Sequence, residues 1–196
     1  MSKKLLVLSL FLFIGFNAFS QNKKVSLELN FPIPFGDNFI GENYNGIVDA
    51  GIKYRFVNTG IVNVGASLNA GILRYPNDRI IGDVNITAIN VQPRVFVELN
   101  APGLSKFHPS VGVGYNPIFF RSSGTLLLGD GTPVDASSSD TRSGVNFNVA
   151  LAYDIFSRFF IQAQYDFTKL SETDGIPSMS FNTNVNILKL GVGLRI

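Results

Sequence analysis

Apolar and polar residues alternate along eight segments of the chain. The clearest segment runs from Val62 to Ile72, where every second residue is apolar and the residues between them are Asn, Gly or Ser. Because successive side chains of a β-strand point to opposite faces, a period of two predicts strands with one apolar face. The eight predicted strands are 25–31, 48–56, 62–72, 89–99, 110–116, 144–153, 159–168 and 188–196.

The predicted connections between these strands alternate between long and short. In an antiparallel meander, alternate connections lie at opposite ends of the sheet, so all the long ones fall at the same end. Short turns at one end and long loops at the other are typical of outer-membrane barrels. The pattern therefore predicts an all-β fold, an eight-stranded antiparallel up-and-down transmembrane β-barrel. Its long loops are expected near 32–46, 74–86, 121–142 and 169–184.

The composition of the polar face indicates which face points outward. It is dominated by Gly, Asn, Ser and Gln, whose small side chains suit the narrow inside of an eight-stranded barrel. Its charges nearly balance, and buried charges are tolerated only when they are paired. We therefore expect a polar network in the lumen, formed by Glu28, Asp49, Lys53, Arg55, Arg94, Glu98, Asp166, Lys189 and Arg195.

The first residues have the three parts of a secretory signal peptide. Lys3 and Lys4 precede an apolar stretch, and small residues follow it at Ala18 and Ser20. We expect residues 1–20 to be a cleaved signal peptide and 21–196 to be the outer-membrane β-barrel domain.

The amino-acid composition argues against several classes of function. Without the two lysines of the leader, 14 of the 16 basic residues remain against 14 acidic ones, so the mature chain is neutral and has no electrostatic reason to bind nucleic acid. The absence of cysteine excludes disulfides and thiolate metal sites.

The leader, the eight strands and the closing segment Lys189–Ile196 together resemble the small outer-membrane β-barrel proteins of the OmpA/OmpX type, particularly a porin-like family of Bacteroidota. The resemblance covers the whole mature chain and rests on its pattern of strands. It implies a location in the cell outer membrane, contact with outer-membrane lipids, and insertion by the barrel-assembly machinery.

We identify no candidate catalytic, cofactor-binding or metal-binding residue. His108 is the single histidine, and we expect it at the periplasmic rim as an interfacial residue. Asp49, Glu98 and Asp166 could form an acid–base pair of the kind that cleaves glycosides, but cations on the same face favour structural ion pairs. The sequence therefore predicts a protein that is not an enzyme and needs no cofactor.

The loop near 121–142 contains a turn signal between apolar residues. Asp-Gly in such a setting favours a β-hairpin, so we predict an external hairpin above the membrane. Its leucines could meet an envelope protein by strand addition, or they could pack on neighbouring loops. The residues of this hairpin are Leu126, Leu127, Leu128, Asp130 and Gly131.

These observations favour a non-enzymatic outer-membrane barrel with a lumen filled by side chains. It would act structurally, or in adhesion or complex assembly through its external loops. The alternatives are a narrow porin-like channel for small solutes, a lipid-modifying barrel enzyme and a soluble lipocalin-like binder.

Overall fold

The computed structural model describes residues 24–76, 82–101, 103, 105–128, 131–172 and 177–196. The predicted signal peptide lies outside these residues, so its cleavage stays a prediction. The strands are β1 (Val25–Pro34), β2 (Asn45–Asn58), β3 (Val62–Arg74), β4 (Gly82–Leu99), β5 (Phe107–Leu127), β6 (Pro133–Asp135), β7 (Ser138–Asp154), β8 (Phe159–Leu170) and β9 (Asn184–Arg195). Two short helices, α1 (Phe39–Asn43) and α2 (Ser180–Thr183), precede β2 and β9.

Eight of these strands close into an antiparallel barrel. Each strand pairs with its neighbour in the chain, except that β6 is bypassed by a pairing of β5 with β7. β1 pairs with β2 on one side and with β9 on the other, which closes the ring. Closure satisfies the backbone groups that an open edge would leave unpaired in hydrocarbon. The predicted eight-stranded up-and-down barrel is confirmed.

Most apolar side chains of the strands point out of this barrel, and most inward side chains are polar. In β8, Phe159 and Ile161 are 56% and 45% exposed, whereas Gln164 is 1% exposed. The same alternation runs through β1 and β3. A soluble lipocalin-like barrel needs the opposite orientation, with the apolar face around a central cavity. The orientation inferred from the small polar residues is therefore correct.

The strands are longer than the alternation predicts, and the loops are correspondingly shorter. β4 begins at Gly82 rather than at residue 89, and β5 continues to Leu127, well past residue 116. About 9–11 residues suffice for a tilted strand to cross a membrane, and β5, with 21 residues, is about twice that length. Backbone pairing therefore continues where the alternation stops.

Pro93 lies inside β4, where the sequence predicts a bulge or a local break. The ladder with β3 continues through the pair of Leu68 and Pro93. The ladder with β5 stops at Asn90 and resumes at Arg94 in the same register. A proline has no N–H to donate, so the expected break is present on one side of the strand and no bulge accompanies it.

The predicted loop 32–46 folds into the end of the barrel that carries the long loops, here called the loop end. Asn38 caps α1 by accepting a hydrogen bond from the Gly41 N–H at 2.8 Å, and the helix buries Ile40. Within the described ranges, neither helix has the length and apolar character needed to cross a membrane.

Candidate functional site

The barrel interior has three layers along its axis. An apolar plug closes the loop end, a central polar layer fills the middle, and a charged layer with a cavity lies at the opposite end, called the turn end. Each layer is built from side chains at inward positions of several strands.

Lys189 is the centre of the central polar layer. Its side chain is fully buried, and its Nζ lies 2.7 Å from Asp49 Oδ2 and 2.9 Å from Asp166 Oδ2. It also donates a hydrogen bond to Gln92 Oε1 at 2.6 Å. These residues come from β9, β2, β8 and β4, so a single ammonium group connects four strands across the lumen.

The remaining charges of this layer are also compensated. Arg94 Nη1 lies 2.5 Å from Asp166 Oδ1, and Asn148 donates to the same oxygen at 2.8 Å. Asn69 links the two halves of the layer, since it donates to Asp49 and accepts from Arg94. Burying these charges is tolerable because each one has both a counter-ion and hydrogen bonds.

Glu28 and Lys53 form a second ion pair next to this layer. Lys53 Nζ lies 2.7 Å from Glu28 Oε1, and Gln164 donates to the other carboxylate oxygen at 3.0 Å. The lysine also lies 5.8 Å from the centre of the Phe96 ring, within the range of a cation–π contact.

The charged layer at the turn end is a chain of alternating charges. Arg55 donates to Glu98 through Nε at 2.8 Å and through Nη2 at 2.7 Å, which is a bidentate pair. Arg195 lies between Glu98, at 3.9 Å, and Asp154, at 3.0 Å. His108 Nε2 lies 3.0 Å from Asp154 Oδ2 and completes the chain.

A cavity of about 800 Å³, which we call the turn-end cup, lies against this layer. The charged side chains of the layer form its inner wall. Residues of the turns and of the chain before β1 form its rim, so the cup opens at the turn end. Its lining residues are Lys24, Arg55, Phe56, Asn58, Asn63, Glu98, Asn100, Ser105, His108, Asp154 and Arg195.

The structure places all nine lumen residues named from the sequence inside the barrel, and each makes an ion pair there. Asp154 is a tenth member that the sequence analysis missed. It follows Asn146 and Asn148 at the inward period of two, so the alternation of β7 could have found it. With Asp154, five carboxylates balance five cationic side chains.

His108 is not interfacial, which corrects the sequence prediction. Its side chain is almost fully buried and faces the turn-end cup. The position is inward because it shares the period of Ser110 on β5. His108 does lie at the turn end of the barrel, as expected.

Two phenylalanines also face the lumen, which the sequence analysis missed. Phe96 lies against Gly65, and Phe160 lies against Gly193 and 4.8 Å from the Arg195 guanidinium. A side chain at either glycine would collide with the facing ring. These two glycines of the inner face therefore make the space that the two rings occupy.

The plug at the loop end was also missed. Tyr44 packs edge-on against Tyr75 and Phe120, with ring centres 5.8 and 6.0 Å apart. Burial raises the pKa of the Tyr44 hydroxyl to about 12; Tyr75 adds to this rise, and Arg142 opposes it. The sequence feature that could have indicated the plug is the apolar pair Phe39 and Ile40 of α1, which lies inside a predicted loop. The buried cluster comprises Ile40, Tyr44, Leu73, Ala88, Ile118, Leu170, Val185 and Ile187.

The external hairpin lies at the tip of β5 and β6. Leu127 pairs with Pro133, and the Leu128 N–H donates to the Thr132 carbonyl at 3.0 Å. Gly131 has a φ of 81°, which a glycine adopts readily in a turn. Asp130 lies outside the described residues, and of Leu126 only the backbone pairing with Val134 is described.

Two leucines of this hairpin are partly accessible at its tip. Leu127 and Leu128 are 42% and 47% exposed. Nearby, hydrogen bonds from Ser137 lower the pKa of the exposed Asp135 carboxyl. The hairpin thus presents a small apolar tip with a charged flank, and contact with a partner stays a prediction.

The carboxylates considered as an acid–base pair each form an ion pair with a cationic side chain. Asp49, Glu98 and Asp166 each lie within 2.7 Å of a lysine or arginine nitrogen. In the described ranges, no three His, Asp or Glu side chains converge in a way that could hold a metal ion. The interior geometry suits a rigid, closed network.

No protein-family model matches the chain, and no curated protein matches it either. Solved structures do. Ail, the attachment invasion locus protein of Yersinia pestis, is 13% identical with a TM-score of 0.56, over 88% of this chain and 97% of Ail. Neisserial surface protein A is 12% identical with a TM-score of 0.53, over 88% and 96%. The N-terminal barrel domain of Pseudomonas aeruginosa OprF is 16% identical with a TM-score of 0.50, over 88% and 96%.

The chain has the fold of the small outer-membrane β-barrels. At these identities the likeness establishes the fold alone. The resemblance to OmpA/OmpX-type barrels is confirmed at this level, and an origin in Bacteroidota stays a prediction.

Proposed function

We propose that this chain is a non-enzymatic outer-membrane barrel that does not conduct ions and acts through its loop end. The observation that carries the proposal is the filled interior. The Lys189 network spans the lumen at its middle, and the Tyr44 plug closes the loop end. A pore needs a continuous path of water, and these two layers occupy that path.

The outer surface supports a membrane location. Leu29, Phe147 and Val192, on three different strands, are each more than 50% exposed. Outward apolar side chains of this kind are stable in lipid and are a liability in water. The predicted signal peptide would deliver the chain to the periplasm, from which such barrels insert with their turns facing the periplasm.

The loop end supports a role in adhesion or complex assembly. It carries the exposed leucines of the external hairpin, and β5 there is longer than a tilted strand needs to cross a membrane. Ail, which shares the fold, is described as an attachment invasion locus protein. We extend to this chain only attachment, and we assign it to the loop end on the exposure of the hairpin leucines.

Conductance in planar bilayers tests the closed lumen. The purified barrel, inserted at known density, is expected to give no steady channels, with an open porin as positive control. Stepwise conductance that changes on Arg94→Ala would identify a narrow channel and would refute the proposal.

Two further measurements separate the remaining roles. Lipid A from cells with and without the protein should be identical, because the proposal assigns no lipid chemistry to the barrel. Cell adhesion, or co-elution with an envelope protein in detergent, should decrease when Leu127 and Leu128 are both changed to Ser. An unchanged result for both interactions would argue against the loop end as the active surface.

A further inference from the structure

Among the described residues, three cationic side chains at the turn end of the barrel have no counter-ion. Lys24, Lys106 and Arg158 immediately precede β1, β5 and β8 and are exposed. None of them belongs to the ion pairs found among the described residues. Each lies two residues before a buried inward residue, so the strand period places all three on the lumen side of the rim. Lys24 lines the cup, whereas Lys106 and Arg158 lie beyond its lining residues.

The charges deeper in the cup do not compensate these three cations. Glu98 is bonded to Arg55, and Asp154 is bonded to Arg195. The two carboxylates and two arginines therefore cancel, and the mouth of the cup keeps the charge of its rim. A concave site with an excess of one sign concentrates ions of the opposite sign.

The cup is accessible from the turn end. At its rim, Lys24 precedes β1, Asn58 ends β2 and Ser105 lies in a turn, while Arg55, Glu98 and Arg195 of the charged layer form its floor. A ligand in the cup therefore comes from the compartment that the turns face. This access is independent of the loop end, where the proposed function places contacts with partners.

We propose that the turn-end cup binds a small multivalent anion that carries phosphate or carboxylate groups. Its rim supplies the charge of Lys24, and Asn100 and Ser105 supply groups for hydrogen bonds. A volume of about 800 Å³ suits a small solute. Lipid headgroups carry the same chemistry, but they reach the outer wall of a barrel, whereas the cup lies inside it. We therefore assign the site to a free solute.

Titration with inorganic pyrophosphate tests this site. The full mature chain is held in a zwitterionic detergent, and binding is followed by calorimetry and by backbone amide NMR. We expect saturable binding that weakens with added salt, because exposed charges are screened. The amide shifts should be largest at Lys24, Ser105 and His108.

Charge variants measure the contribution of the rim. Lys24→Gln should weaken binding about threefold, since an exposed charge contributes only modestly. The triple variant Lys24→Gln, Lys106→Gln, Arg158→Gln should weaken it at least tenfold. Lys169→Gln removes the same charge from the loop end and should leave binding unchanged. Ser105→Phe keeps every charge but occupies the cup, so it should also weaken binding.

Three results would overturn the proposal. The first is pyrophosphate binding that the triple variant leaves unchanged. The second is a set of amide shifts located at the loop end. The third is a response of the turn-end amides to bicelles of anionic phospholipid but not to pyrophosphate, which would make the rim a lipid contact. All three are independent of whether the barrel conducts ions.

Discussion

Replacing Lys189 with methionine removes the cation at the centre of the lumen. The lysine is fully buried, and its Nζ lies 2.7 Å from Asp49 and 2.9 Å from Asp166. Methionine fills most of the same space but carries no charge and donates no hydrogen bond. The substitution therefore leaves two buried carboxylates with one arginine, Arg94, between them.

The expected cost follows from that imbalance. Removing one partner of a buried ion pair typically destabilises a protein by about 3–5 kcal/mol. Lys189 serves two carboxylates, so we expect a loss of unfolding free energy near the upper end of that range. Adding Asp49→Asn restores neutrality and keeps an acceptor for Asn30 and Asn69. The double variant should therefore lose less unfolding free energy than the two single variants lose in sum, by about 1–3 kcal/mol.

Urea unfolding in phospholipid vesicles measures these differences. The chain has no tryptophan, so far-UV circular dichroism and the gel mobility of unheated samples report the folded fraction. Lys169→Met is the control, since the bonds of this exposed lysine to described residues are to neutral oxygens of Thr183 and Asn184. It should cost less than about 1 kcal/mol.

A Lys189→Met barrel within about 1 kcal/mol of the wild type would refute the idea that charge compensation holds the interior. Strict additivity in the double variant would refute the coupling between Lys189 and Asp49.

Three smaller changes test other parts of the interior. Gly193→Ala should destabilise the barrel by about 1–3 kcal/mol because its methyl group meets a buried phenylalanine ring; Gly103→Ala, which meets no atom within 4 Å, is the control for the same urea titration. Tyr44 should ionise at a pH near 12, above the ordinary value of 10.0, in a spectrophotometric titration. Because folding favours its neutral form, stability should fall as the pH rises from 10 to 12, and Tyr44→Phe should reduce that fall. Ile40→Asn should expose segment 35–44 to protease while the barrel keeps its folded gel mobility, and an uncut segment would show that the plug does not depend on Ile40.

The alternation of residues is enough to predict the two faces of the wall. A period of two is a local property, and each strand carries it without reference to its neighbours. The small polar residues on one face then indicated that this face is inside, because the lumen of eight strands is narrow. This reasoning found the closed barrel and the charged members of its lumen, from Glu28 to Arg195.

The pairing of these charges depends on how the strands are arranged in space. Lys189 and Asp49 are 140 residues apart in the chain. Their contact depends on the register of every strand pair around the ring and on closure between β1 and β9, and no local pattern records either. The members of the network could therefore be predicted from the sequence, but their pairing could not.

The plug and the turn-end cup also depend on the closed barrel. The residues of α1 have no helical or strand period long enough to predict where they pack, and Ile40 is buried only because the mouth of a closed barrel receives it. The cup exists because the turns that bound it converge at one end of the ring. Alternation specifies the side of the wall on which a residue lies, whereas closure of the barrel specifies the residues that face it across the lumen.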